Sequence, residues 1–225
     1  MKIIGIIGAM PSELKDIQSA QVNAIKTELA GYEFHESMHG NNKIISVCCG
    51  IGKVNSAICT QILIDKFQVD QIINTGIAGG MKADIKILEI VISTSVLSHD
   101  LDAHFLADYP PYHAEFEADS KLQALAKSIC DKKQIITHAG KIISGDIFVT
   151  DSVIKAKLIT KYNPYAVDME TSAIGQCAWR NQIPFVSIRC ISDLADDDGA
   201  MSFDNFEKLA AKRVAEIVLT MCEKD

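Results

Sequence analysis

Two carboxylates and a guanidinium stand at positions from which α/β proteins commonly reach a ligand. Asp193 lies just past an apolar run, in the string RCISDLADDDG, where sheet-end catalytic residues are often found. Glu13 falls in the first turn of a helix that Pro11 can open, where the helix dipole favours an ionised carboxylate able to take a proton from water. Arg189 sits inside the unbroken apolar run Ile183–Ile191, so its buried guanidinium must meet an acceptor. Glu170 precedes Ala173, Ile174 and Cys177 at helical spacing, so a helix over 169–180 puts this acid on the apolar stripe, where it needs a partner or a ligand. Acids and an arginine so placed form a set for holding a sugar and moving protons. The residues alone leave structural readings open: a solvent-facing helix start for Glu13, and internal ion pairing for Glu170, Arg189 and Asp193.

Other groupings point less sharply. Glycines cluster in GIIGAM, CGIGKV and NTGIAGG, which together favour a small-molecule cleft at strand ends, although none is a GxGxxG or P-loop pattern. His99, Asp100, Asp102 and His104 offer metal-ligand types on what reads as a solvated or interface loop. Asp196, Asp197 and Asp198 lack calcium-loop spacing and read as a turn. No GxSxG elbow occurs, and Cys177 reads as helix packing rather than as a nucleophile.

The elements that must position these residues alternate apolar strand-length runs with helical periods, the pattern of an α/β sheet flanked by helices. Strands are expected near 2–8, 43–49, 70–76, 88–93, 135–143 and 183–191, and a hairpin over 24–40 beside the third of them. Leu122, Leu125, Ala126 and Ile129 mark one helix, and Phe206, Leu209, Ala210, Val214, Ile217, Val218 and Met221 another. The stretch 98–119 is the long irregular segment, expected to be a lid or a subunit contact. Nothing interrupts the pattern with a linker or repeat, so residues 1–225 read as one domain.

Composition narrows the partners. A formal charge of −7 with no basic run argues against nucleic acid. The opening apolar run Ile3–Met10 is far below the ~20 residues that cross a bilayer, and it lacks the flanks of a secretory signal. Seven cysteines without CxxC spacing suggest neither a disulfide framework nor a thiolate metal site, which fits a cytoplasmic protein.

The strings GIIGAMPSE, CGIGKVN, NTGIAGG, ISGDIFV, VDMET, RCISDLADD and MSFDNF, in this order, span the chain. Jointly they resemble the 5′-methylthioadenosine/S-adenosylhomocysteine nucleosidases of the purine nucleoside phosphorylase superfamily. The resemblance implies a single-domain, three-layer α/β fold with a central mixed, partly closed sheet. It also implies a homodimer that hydrolyses the N-glycosidic bond of adenine thionucleosides without metal or organic cofactor. By position, Glu13 matches the base that activates water, and Asp193 the acid that protonates adenine N7. Glu170 and Met169 match the ribose-holding pair, and Arg189 supports that end of the pocket. Phe148 matches the ring stacked on adenine, Val149 the backbone partner of the base edge, and Ala9, Met10, Ile51 and Phe203 the nonpolar positions around ribose and tail. Two departures stand out. Ile77 replaces the serine usual in the NTGSAGG turn, so Asp193 must be held by another donor, and the loop after His99 is shorter than usual, which bears on the choice of 5′-substituent.

The chemistry agrees with these roles. Cleaving a ribose–adenine bond builds positive charge on the sugar and negative charge on the base, so a catalyst protonates the purine and presents water on the opposite face. Competing expectations are a phosphate-dependent phosphorylase, an aminodeoxyfutalosine nucleosidase and a nucleoside-binding protein without turnover.

Overall fold

A computed structural model describes residues 1–224. The most completely buried segments define the centre of the sheet. In β5 (Gln71–Gly80) and β10 (Phe185–Asp193) every residue is buried, as the absence of polar alternation requires. These two strands pair in parallel and lie at the middle of a ten-stranded mixed sheet. On one side β5 is followed by β1 (Ile3–Gly8), β4 (Asn42–Cys48), β3 (Tyr32–His39) and β2 (Ile25–Leu29). On the other side the path runs from β10 through β6 (Ile90–Ser98), β8 (Thr137–Ser144) and β9 (Ala166–Asp168), and β9 returns antiparallel to β5. The last pairing closes five strands into a ring, the partly closed mixed sheet that was expected. A two-residue strand, β7 (Phe116–Glu117), pairs with β6.

Among the described residues six helices connect these strands, α1 (Pro11–Ala20), α2 (Lys53–Phe67), α3 (Ala103–Asp108), α4 (Ser120–Lys132), α5 (Ser152–Tyr162) and α6 (Thr171–Arg180), and a seventh, α7 (Gly199–Lys224), follows β10. Helix α7 packs on β5 and β10 and touches α1 and α4, while α2 packs with α6. The main core gathers isoleucines and valines of the central strands with Val214, Ile217, Val218 and Met221 of α7. Leu209, expected on that stripe, is exposed, because the apolar face begins only at Ala210.

Several expectations change in detail. The hairpin β2–β3 lies beside β4 rather than beside the third expected strand, since a turn at Gly40 leads β3 directly into β4 and β1 already fills the inner edge of β5. The segment 98–119 is not wholly irregular, as it contains α3 and β7. Strand β9 was not foreseen, because three residues carry too little periodicity. Ile77 stands inside β5 and not in a turn.

Candidate active site

A cavity of about 360 Å³ opens where β1, β4 and β10 end and where β9 crosses the last residues of β5. Ala9, Met10, Glu13, Ile51, Ile77, Phe148, Met169, Glu170, Asp193 and Phe203 all line it. Val149 is buried beside a small side cavity that shares Phe148, Met169 and Asp193 with the main one. Arg189 lies behind the wall, 1% exposed, in reach of the acids but not of the open space. The two strand-end acids and the foreseen apolar residues therefore share one site. Gly79, of the NTGIAGG cluster expected at such a cleft, also lines it, as do Ala78, Val167, Asp168 and Ser192, which were not singled out from sequence.

Glu13 does not face solvent; it is 2% exposed. Pro11 opens α1, and the Glu13 carboxylate turns back so that Oε2 accepts the N–H of Ala9 at 2.7 Å and of Met10 at 3.0 Å. Oε1 accepts the N–H of Ile77 at 2.9 Å. The carboxylate thus satisfies donors of its own helix start and ties β1 to β5. Burial raises its pKa, against the lowering pull of Arg189 and these three N–H groups. Gly76, at φ +154°, lets the backbone pass beside this pair. A Cβ there would collide with both Arg189 Nη1 and Glu13 Oε1.

Arg189 gathers the acidic end of the site. Its Nη2 lies 2.7 Å from Asp168 Oδ2 and 3.9 Å from Glu170 Oε2, and its Nη1 lies 3.6 Å from Glu13 Oε1. Nη2 also donates to Asn74 Oδ1 and to Thr171 Oγ1. Burial opposes the guanidinium's charge, yet the three carboxylates more than compensate and its pKa is raised. Internal ion pairing, left open from sequence, is therefore present for Arg189 and Glu170, at one end of the cavity, while no ion pair is seen for Asp193 among the described residues.

Glu170 corrects the helix expected over 169–180. Helix α6 starts at Thr171, and Glu170 precedes it with φ −132° and ψ −39°, so it is not on the apolar stripe. Asp168 Oδ1 accepts the N–H groups of Glu170 and Thr171 across the bend that leads into the helix. Glu170 Oε1 accepts the N–H of Gly52 at 2.8 Å. Burial first, and then the neighbouring Asp168, push its pKa up to about 7.

Asp193 is the last residue of β10 and 1% exposed. With Ile77 offering no hydroxyl, the donors that hold the Asp193 carboxylate are Ser192 Oγ, 2.8 Å from Oδ2, and the Ala195 N–H, 2.8 Å from Oδ1. Burial raises the Asp193 pKa, and these two hydrogen bonds offset it in part. Phe148, 49% exposed, meets Phe203 edge to face with centroids 5.5 Å apart, leaving an aromatic wall at the mouth.

The groupings set aside from sequence lie outside the cavity. Asp100 pairs with Lys53 Nζ and accepts the N–H of Asp146, bracing loops near the mouth. Asp197 accepts the N–H and hydroxyl of Ser152. Cys177 is half-buried against Gln61, and burial pushes its thiol up to about 11.

A family model of the phosphorylase superfamily matches residues 3–223. Among curated proteins, a 5′-methylthioadenosine/S-adenosylhomocysteine nucleosidase of Exiguobacterium is 37% identical over 98% of this chain and 97% of its own length. A Helicobacter pylori nucleosidase mutant solved with 5′-methylthioadenosine in its active site superposes with TM-score 0.95 at 30% identity, covering 100% of both chains. The futalosine hydrolase of the same species superposes with TM-score 0.94 at 30% identity, covering 100% of this chain and 98% of that one.

Proposed function

Because the chain belongs to the phosphorylase superfamily, and its curated relatives are nucleosidases along their whole length, we propose that it is an N-glycosidic hydrolase. It releases adenine from 5′-methylthioadenosine and S-adenosylhomocysteine, leaving the thioribose. The observation that carries the reading is that, of the four buried acids lining one cavity, Glu13 and Asp193 are held in different ways, Glu13 among ionic partners and Asp193 between a hydroxyl and a backbone N–H. In this reading Glu13 takes a proton from water while Asp193 delivers one to adenine N7. Glu170, with Oε1 occupied by Gly52, turns Oε2 to the ribose hydroxyls, Met169 packs on the sugar, and Arg189 supports both acids from behind. Phe148 stacks on the base, Val149 offers it backbone hydrogen bonds, and Ala9, Met10, Ile51, Ile77 and Phe203 enclose ribose and tail. The oxocarbenium-like ribose is stabilised by carboxylate charge fixed before the substrate arrives.

Hydrolysis is favoured over phosphorolysis because Glu13, Asp168 and Glu170 share one guanidinium, and a phosphate anion entering that buried acidic end meets repulsion. Methylthioadenosine in phosphate-free buffer tests this: adenine release is expected, and a strict phosphate requirement would refute the reading. The fit to futalosine hydrolase gives aminodeoxyfutalosine as the competing substrate, decided by a panel read as free base.

We propose further that the protein is a cytoplasmic homodimer of single-domain subunits. Val54 and Ile58 on α2, and Phe105, Tyr109 and Tyr112 after β6, expose apolar side chains suited to a partner subunit. A monomer with full activity in sedimentation would refute the dimer as the working form. Among the described residues no helix is long and apolar enough to cross a membrane.

A further inference from the structure

Three carboxylates converge on Arg189, and they are not equally close. A charged N–H in direct contact with a carboxylate oxygen lies about 2.7–2.9 Å away. Only Asp168, at 2.7 Å, meets that measure, whereas Glu13 at 3.6 Å and Glu170 at 3.9 Å feel the guanidinium through space. We infer that Asp168 is a positioning residue that holds the guanidinium off Glu13, leaving Glu13 basic enough to take a proton from water. The inference rests on the reading of Glu13 as the water-activating base.

The physical reason is competition for one cation. A guanidinium in contact with an acid lowers its pKa by about 1–3 units and makes it a poor proton acceptor. Glu13 has to be ionised and still basic, so Arg189 must be near but not seated on it. Asp168 is built to win that competition. Ser144 Oγ, at the end of β8, donates to its Oδ1 at 2.5 Å, the N–H groups of Glu170 and Thr171 add two more bonds, and the Thr171 hydroxyl lies against Oδ2. Arg189 is fixed from the other side by Asn74 Oδ1 at 2.9 Å. The titratable groups facing Glu13 are Arg189 from β10, Glu170 before α6, and the Cys48 and Cys49 thiols at the end of β4, which burial keeps neutral. Of these, Arg189 is the cation whose position Asp168 controls.

Asp168→Asn is the direct test. It leaves Arg189 flanked by two carboxylates, so no buried cation is stranded. With methylthioadenosine as substrate, the acidic limb of the kcat/KM profile is expected to move down by about 1 unit, with kcat at neutral pH falling about tenfold. Asp168→Glu, which restores the charge, should bring the limb back towards the wild type. In Asp168→Asn/Arg189→Gln the downward shift should vanish relative to Arg189→Gln. A limb that stays in place in Asp168→Asn while kcat falls would reduce Asp168 to a structural part, and a limb that still falls in the double variant would exclude action through Arg189. Either result overturns the inference. Should Asp168→Asn not fold, Asp168→Ser is the second neutral variant and carries the same expectation. A wild type that releases no adenine refutes the proposed function instead. The inference is then read from a carbon-13 titration of the Glu13 carboxyl, identified by its loss in Glu13→Gln: a midpoint lowered by Asp168→Asn supports it, and an unchanged midpoint overturns it.

Discussion

The cavity buries Glu13 beside two further acids at one end and Asp193 at the other, and it treats these two differently. Around Glu13 the protein supplies three backbone N–H groups and a guanidinium, whereas around Asp193 it supplies one hydroxyl and one backbone N–H and leaves the rest of the wall apolar. Burial raises both pKa values, but the opposing stabilisation of the charged form is led by the Arg189 cation for Glu13 and by the Ser192 and Ala195 hydrogen bonds for Asp193, where Lys155 adds the weakest pull. A single desolvating cavity can therefore hold an acceptor and a donor of protons side by side, provided the donors at its two ends are unequal. Neutralising one end at a time is the way to break that comparison.

The largest effects are expected from Glu13→Gln and Asp193→Asn, each lowering turnover by a factor of about 100 or more. Near-normal release of adenine by either variant would show that the ends are misassigned. Stability should separate the ends further. A buried acid whose folded pKa is raised binds more protons folded than unfolded, so its ionisation costs stability progressively as pH rises above its unfolded value near ~4. Asp193→Asn removes that cost, and its melting temperature should exceed the wild type's by a margin that grows towards neutral pH, about 2–4 °C for each kcal/mol of relief. Glu13→Gln should gain less, because an amide cannot accept all three N–H groups and leaves Arg189 with one carboxylate fewer. Equal gains in the two variants would mean that the ends differ less than their geometry says.

The positions of the two acids are legible in the sequence, and their unequal surroundings are not. Glu13 and Asp193 follow apolar runs whose strand character is unambiguous, so their place at strand ends needs only local pattern. The helix that carries Glu170 in the sequence pattern begins two residues later, at Thr171, since apolar spacing continues across its start and does not mark it. Asp168 makes a local pattern of its own, accepting the N–H groups two and three residues on, but it closes the bend ahead of the helix. The second role of Asp168 left no such trace, because its partners Arg189 and Ser144 come from β10 and β8 and meet only when the ring of strands closes. The donors of Asp193 were hidden for a related reason. Ala195 reaches back through a left-handed turn at φ +52° in a residue that gives little warning of it.

A smaller effect should come from the aromatic wall, which both ends share. Phe148→Ala removes the stacking face for the base and should lower kcat/KM about 20-fold, mostly through KM. Should kcat fall instead with KM unchanged, Phe148 would belong to the proton-donating end and not to the mouth.

The smallest effect is expected at the position that departs from the resemblance. Ile77 occupies the place of the usual serine, and its side chain lines the cavity while its N–H serves Glu13. With Oδ2 of Asp193 already held by Ser192 and Oδ1 by Ala195, a hydroxyl restored by Ile77→Ser adds at most one more bond to a carboxylate whose oxygens each already have a donor, and kcat should change by less than about twofold. Ser192→Ala, by contrast, removes a donor to a carboxylate that forms as the proton leaves, and should lower kcat about 5–10-fold. The two substitutions together decide whether one hydroxyl stands in for the other. If they do the same work, Ile77→Ser should recover most of the loss in the Ser192→Ala background while doing little alone, a coupling that independent sites would not show. Additive effects would mean that the Ser192 hydroxyl does something a hydroxyl at 77 cannot. Its second neighbour, the Ala78 carbonyl at 3.4 Å, would then be the place to look, as the acceptor to which Ser192 turns its proton while Asp193 still carries one.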